Sequence, residues 1–224
     1  MMSPLSPDSS DIQHLCTIPT SYNKLVYSVC WDGTEVVAGC DDAILRVSPS
    51  YTSPSHIDAL NIRGVIDCIR KVGDHAFAIL HNKNDTAREV RISSINTLCD
   101  PKTTLCRINQ GGTNLSMLAI SEQYIEVCDS RNNGVNLWTT RGQFKMAIRR
   151  DVFNNPCGVL LLHDHLLVSD GKAGCLHKFR LDSHSAELIW TCKDLNLPAG
   201  ACVDKHGFIY AACENGRVIY LNSP

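Results

Sequence analysis

The stretch NPCGVLLLHDHLLVSDGKAGCLHKFRLD, residues 155–182, decides how this chain is read. A turn at Asn154, Asn155 and Pro156 leads into the apolar run CGVLLL. A second turn, His163-Asp164-His165, precedes LLVSD, and a third, Gly171-Lys172-Ala173-Gly174, precedes CLHKFRL. After Asp182-Ser183-His184 comes ELIWTCK. Gly, Asn, Asp and Pro fall between the runs, where a turn needs positive φ or a side-chain acceptor. In CLHKFRL, Leu176, Lys178 and Arg180 alternate with Cys175, His177, Phe179 and Leu181, the period of a half-buried strand. The stretch and its continuation therefore predict four short antiparallel strands.

The same unit recurs along the chain. The runs EVVAGCD, AFAILHN, YIEVCD, LLVSD and IYAACE end on Asp41, Asn82, Asp129, Asp170 and Glu214, each of which opens a turn. These residues lie 41, 47, 41 and 44 positions apart. A β-rich period of about 40 to 50 residues belongs to the blades of a β-propeller. The prediction is an all-β fold, a β-propeller of four-stranded antiparallel blades, about five of them; the alternative is part of a six-bladed ring. No stretch shows helical periodicity.

The last repeat has ACVD, FIYAAC and RVIYLN but no outer strand, and a spare run, HLCTIP at residues 14–19, precedes the first repeat. Pairing of that run beside the last strand would close the ring and remove an exposed edge. Residues 1–11 are expected to form a disordered tail and residues 12–224 the propeller.

Hydrophobic residues make up 44% of the 224 positions, charged residues 20%, and the net charge is −2. That balance supplies no global field toward DNA or an anionic membrane. No apolar stretch reaches the roughly 20 residues a membrane helix needs. The N-terminus, MMSPLSPDSSD, lacks the basic and apolar regions of a secretory signal. A cytoplasmic location is expected. The 12 cysteines contain no C-x-x-C pair, so they read as reduced packing residues.

Residues 197–224, LPAGACVDKHGFIYAACENGRVIYLNSP, carry a Pro-x-Gly opening, an inner strand, Asp-x-x-Gly, and an apolar strand followed by a polar turn and Arg-Val. This pattern resembles an NHL repeat, and residues 114–224 are similar to it throughout. Over residues 25–113 only the rhythm persists. The resemblance implies the propeller found at the C-terminus of tripartite-motif ubiquitin ligases, and so a recognition role without the ligase modules.

Three chemistries remain to be weighed. The carboxylate column has the oxygen ligands of a Ca²⁺ site, yet an acceptor that recurs in every repeat is better suited to capping five turns. Asp41, Asn82, Asp129, Asp170 and Glu214 are therefore read as turn caps. His163, His165 and His206 have the donor atoms for zinc, the basis of a metal-dependent hydrolase or lyase alternative. No nucleophile elbow, phosphate loop or dinucleotide fingerprint is present, so an enzyme is not expected, nor any cofactor or metal. The loops of one face carry Arg131, Asn132, Arg150, Phe153, Asn154, Lys172 and Arg217, side chains suited to a protein partner. Single-stranded RNA on the same face is the alternative, with Arg149 and Arg150 for phosphate and Phe153 for stacking.

Overall fold

The computed structural model describes residues 25–31, 33–48, 56–72, 76–84, 87–94, 106–109, 115–121, 123–148, 151–204 and 206–221. Their regular structure is entirely β, in four antiparallel sheets. The first sheet holds β1 (Val26–Trp31), β2 (Val36–Ser48), β3 (His56–Val72), β4 (Ala76–Asn84), β5 (Ala87–Ser94) and β6 (Cys106–Asn109). The second holds β7 (Leu115–Ile120), β8 (Tyr124–Asp129), β9 (Gly134–Thr139) and β10 (Phe144–Ile148). The third holds β11 (Pro156–Leu162), β12 (His165–Asp170), β13 (Cys175–Leu181) and β14 (Ala186–Cys192). The fourth holds β15 (Pro198–Val203), β16 (Ile209–Cys213) and β17 (Val218–Leu221). Within each sheet, consecutive strands are neighbours.

The sheets are the blades of a β-propeller, and their stacked faces form its core. Leu80, Val90 and Ile92 of the first sheet meet Leu118, Ile125 and Val127 of the second. Cys128, Val135 and Leu137 meet Val159, Val168 and Phe179 of the third. Leu167 and Leu176 then meet Ile209, Ala211 and Cys213 of the fourth. Full burial of each Leu, Ile or Phe is worth about 1.5–3 kcal/mol, so these three seams contribute heavily to the stability, alongside the Ile44, Ile66, Ile69 and Ile79 cluster within the first sheet.

Five inner hairpins recur along the chain, which accounts for the five-fold rhythm of the sequence, with the first and last offset by one residue. Val26 faces Cys40, Val65 faces Asn82, Leu115 faces Asp129, Pro156 faces Asp170 and Pro198 faces Cys213. The five repeats nevertheless occupy four sheets. Asp41 pairs with Val65 and joins the first two repeats into one six-stranded sheet. The junction is held by Asp42, at φ 55, whose Oδ1 accepts the Gly64 amide at 2.9 Å.

Inner strands of adjacent sheets approach closely. A Cβ on Gly158 would lie 1.8 Å from the Ala199 carbonyl oxygen, and the Cys157 thiol donates to the Pro198 carbonyl at 3.1 Å. The nine cysteines whose side chains are described are free thiols, and Cys40, Cys68, Cys128, Cys175 and Cys213 are buried. The run at residues 14–19 and the tail at residues 1–11 lie outside the described residues. Among the described residues no helix is long and apolar enough to cross a membrane.

Candidate functional site

Each inner hairpin feeds a turn at one end of the propeller, and these turns join into a rim. Asp170 builds its centre. Fully buried, it accepts the amides of Asn154 at 2.6 Å, Asn155 at 2.9 Å and Ala173 at 3.1 Å. One carboxylate thus ties the turn after β12 to the segment leading into β11. Asp129 does the local part of this work, accepting the Asn132 amide at 3.2 Å and its side-chain amide at 2.7 Å. Asn133, with its amide oriented to satisfy both ends, donates to Ser130 O at 3.2 Å and Asn154 O at 2.6 Å. Further round, the Leu195 amide donates to Gly174 O at 2.9 Å and the Glu214 amide to Asn196 O at 3.2 Å. The rim therefore runs through residues 129–133, 151–155, 170–174, 193–197 and 213–217 as one hydrogen-bonded band.

Removing the Asp170 acceptor would strand three amides. An Asp170→Ala variant is expected to lose roughly 2–3 kcal/mol, because three part-buried hydrogen bonds, each worth about 0.5–1.5 kcal/mol, are lost together. A melting temperature lower by about 5–10 °C in a calorimetric scan is the expected readout. Asp170→Asn, which keeps one acceptor oxygen, should fall between the two.

The other caps depart from the sequence pattern. In the first and last repeats the residue opposite the start of the inner strand is Cys40 or Cys213, one position before Asp41 or Glu214. Glu214 is exposed and enters the band through its backbone amide. Asp41 instead takes the hydroxyl of Tyr27, a bond that raises the tyrosine pKa. The Asn82 side chain lies outside the described atoms.

Of the expected contact residues, Arg131, Asn154, Lys172 and Arg217 are exposed on the rim and Asn132 is half-buried there. Phe153 is not a surface contact. It is 4% exposed and packs edge-on against His177 and Phe179, at centroid separations of 5.6 and 5.7 Å. Burying the ring outweighs any role at the surface. Arg149 and Arg150 lie outside the described residues. The rim also exposes Lys193, Asp194, Asp151 and Leu197. Leu197 is 44% exposed at φ 45, a left-handed backbone held in place by its loop.

The histidines sit at the other end of the sheets, in the turns that join the first and second strands of the last two repeats. His165 Nδ1 lies 2.7 Å from Asp164 Oδ1, and the His206 amide donates to Asp204 Oδ1 at 2.8 Å. No group of three His, Cys, Asp or Glu residues able to hold a metal occurs among the described residues. Two buried titratable groups lie at the seam between the second and third sheets. Burial lowers the His177 pKa and pushes the Glu126 carboxyl up to about 8, partly opposed by its own amide.

The sequence matches no protein-family model and no curated relative. Solved structures match the fold at low identity. A functionally unknown protein from Desulfotomaculum acetoxidans is similar at TM-score 0.69 and 12% identity, over 90% of this chain and 70% of that one. A protein of unknown function from Bacteroides caccae matches at TM-score 0.66 and 12% identity, over 90% and 79%. Kluyveromyces lactis Hsv2 matches at TM-score 0.59 and 12% identity, over 88% of this chain and 59% of its own. At such identities the likeness concerns the fold alone.

Proposed function

We propose that this propeller is a non-enzymatic binding module that docks a protein partner on the rim of turns. The observation that supports this reading is the rim itself. Its backbone is fixed by buried Asp170 and by the Asn133, Leu195 and Glu214 bonds, while charged and apolar side chains stand outward from it. A pre-organised surface loses little entropy on binding. The exposed cations Arg131, Lys172, Lys193 and Arg217 are interspersed with the anions Asp151, Asp194 and Glu214. Mixed charge around an exposed leucine suits a protein surface better than a phosphate backbone, which calls for a field of one sign.

The RNA reading is weakened by the burial of Phe153, the ring that was to stack on a base. The reduced cysteines favour a reducing compartment, in keeping with action in the cytoplasm. Recognition of substrates for ubiquitination is the specific role that the NHL resemblance implies.

The test is capture from cell extract with the full chain and an Arg131→Glu, Lys172→Glu variant. The expected result is one or more proteins retained by the wild type and released by the charge reversal, with the melting temperature unchanged. Identical captured sets would remove this rim from consideration. RNA retained in a salt-sensitive manner would favour the alternative.

A further inference from the structure

Asn-Gly occurs twice in the chain, at Asn133-Gly134 and at Asn215-Gly216, and both asparagines stand in turns of the rim. A glycine after asparagine leaves its amide nitrogen unshielded by a side chain. That nitrogen can then reach the asparagine side-chain carbonyl and close a five-membered ring. The fold treats the two pairs differently. Asn133 is half-buried, and its side-chain nitrogen donates to Ser130 O at 3.2 Å and Asn154 O at 2.6 Å. Gly134 is buried and paired with Asp129 in the ladder between β8 and β9. Asn215 and Gly216 are exposed, as are Glu214 and Arg217 on either side. Their turn is a three-residue hairpin loop. It is closed by the Cys213 amide on Arg217 O at 2.9 Å and the Gly216 amide on Cys213 O at 3.1 Å, with Gly216 at φ 76. The Arg217 amide donates to Asn215 Oδ1 at 3.2 Å, the oxygen on which negative charge develops as the ring closes.

We propose that Asn215 is a site of spontaneous deamidation, a modification that places a new carboxylate on the rim. As the hairpin end opens, the Gly216 nitrogen leaves Cys213 O, gives up its proton and bonds to Asn215 Cγ. The bond from Cγ to the side-chain nitrogen breaks, ammonia departs with that proton, and a succinimide remains. Water then opens the ring at either carbonyl and gives aspartate or isoaspartate. Either product adds a negative charge beside Glu214. In isoaspartate the main chain runs through Cβ and Cγ, so it is longer by one atom and strains the two bonds that close the hairpin. The Glu214 amide, which donates to Asn196 O and Leu197 O, lies in this turn and carries the change to the loop that exposes Leu197. The chemistry does not rest on the protein-binding reading of the rim.

The experiment incubates the full chain in neutral buffer and samples it over days. Peptide mapping by mass spectrometry locates amide loss, and enzymatic methylation of isoaspartate measures that product. Asn215 is expected to lose its amide about tenfold or more faster than Asn133, whose two side-chain hydrogen bonds must open first. Both isoaspartate and aspartate should appear at Asn215. In urea, where no fold protects either pair, the two rates should converge. Rates that still differ tenfold there would overturn the proposal, since the local sequence and not the fold would select the site. Equal loss at the two positions in the folded chain would also overturn it. So would an Asn215 that stays intact while a synthetic peptide of residues 211–220 is modified. Aspartate without isoaspartate would do the same, because direct hydrolysis of the amide would then be the route.

Discussion

Replacing Glu126 with glutamine is expected to remove a large fall in stability between about pH 4.5 and pH 8. The side chain is fully buried on β8, and neither carboxyl oxygen has a hydrogen-bond partner among the described residues. It shares the face of Cys128, which packs against the third sheet. Burial holds its pKa at about 8, against 4.5 in an unfolded chain. Between these values the folded protein keeps a proton that the unfolded chain releases, so stability falls as pH rises and levels off above about 8. At about 1.4 kcal/mol per pKa unit the loss is of order 5 kcal/mol. For a protein of this size that is a drop of about 10 °C or more. His177 acts with the opposite sign. Burial lowers its pKa, so its contribution is lost as the pH falls. Subtracting the Glu126→Gln profile from the wild-type profile cancels the histidine and isolates the carboxyl. A constant difference across this range would show that Glu126 is ionised in the fold.

An equally large effect is expected at Gly158. An alanine methyl there would sit 1.8 Å from the Ala199 oxygen and 2.9 Å from its carbonyl carbon. The obstacle is backbone, which cannot swing aside, so the inner strands of the third and fourth sheets must part. Separation opens the seam where Leu167 and Leu176 meet Ile209 and Ala211. Gly158→Ala should cost about 3 kcal/mol or more, as overpacking of a rigid contact does. Gly200→Ala is the control, because nothing lies within 4 Å of its added methyl. It should shift stability by no more than about 1 kcal/mol. Urea titration of both variants decides the matter: equal midpoints would mean that the strands yield without cost.

The strands of this fold were legible because turn residues and apolar runs are local signals. LLVSD ends on Asp170, and the structure puts that carboxylate under three backbone amides. The same inference slipped by one residue at Asp41 and Glu214. There Cys40 and Cys213 face the inner strand instead, and because all five inner hairpins carry an irregular register near this pair, the facing residue leaves little trace in one sequence. Phe153 was misplaced because a lone aromatic in a polar loop looks the same whether it points out or in. Only the stacking of the next sheet, with His177 and Phe179 waiting there, decides. Glu126 was hidden for the same reason. Within YIEVCD it occupies an alternating strand position that a solvated face would also offer, and its burial follows from the third sheet covering β8.

The bridge between Asp41 and Val65 also bears on how the molecule assembles. Elsewhere the sheets meet through packed side chains and bonds between turns, whereas the first two repeats are sewn together by a continuous ladder from β1 to β6. A ladder of that kind forms or melts cooperatively, so the N-terminal repeats make a single folding block, while the repeats that follow can be added one at a time. Because synthesis proceeds from the N-terminal side, this larger block leaves the ribosome before the repeats that follow it. It can serve as the template on which the later repeats settle, and the order of the chain becomes the order of construction.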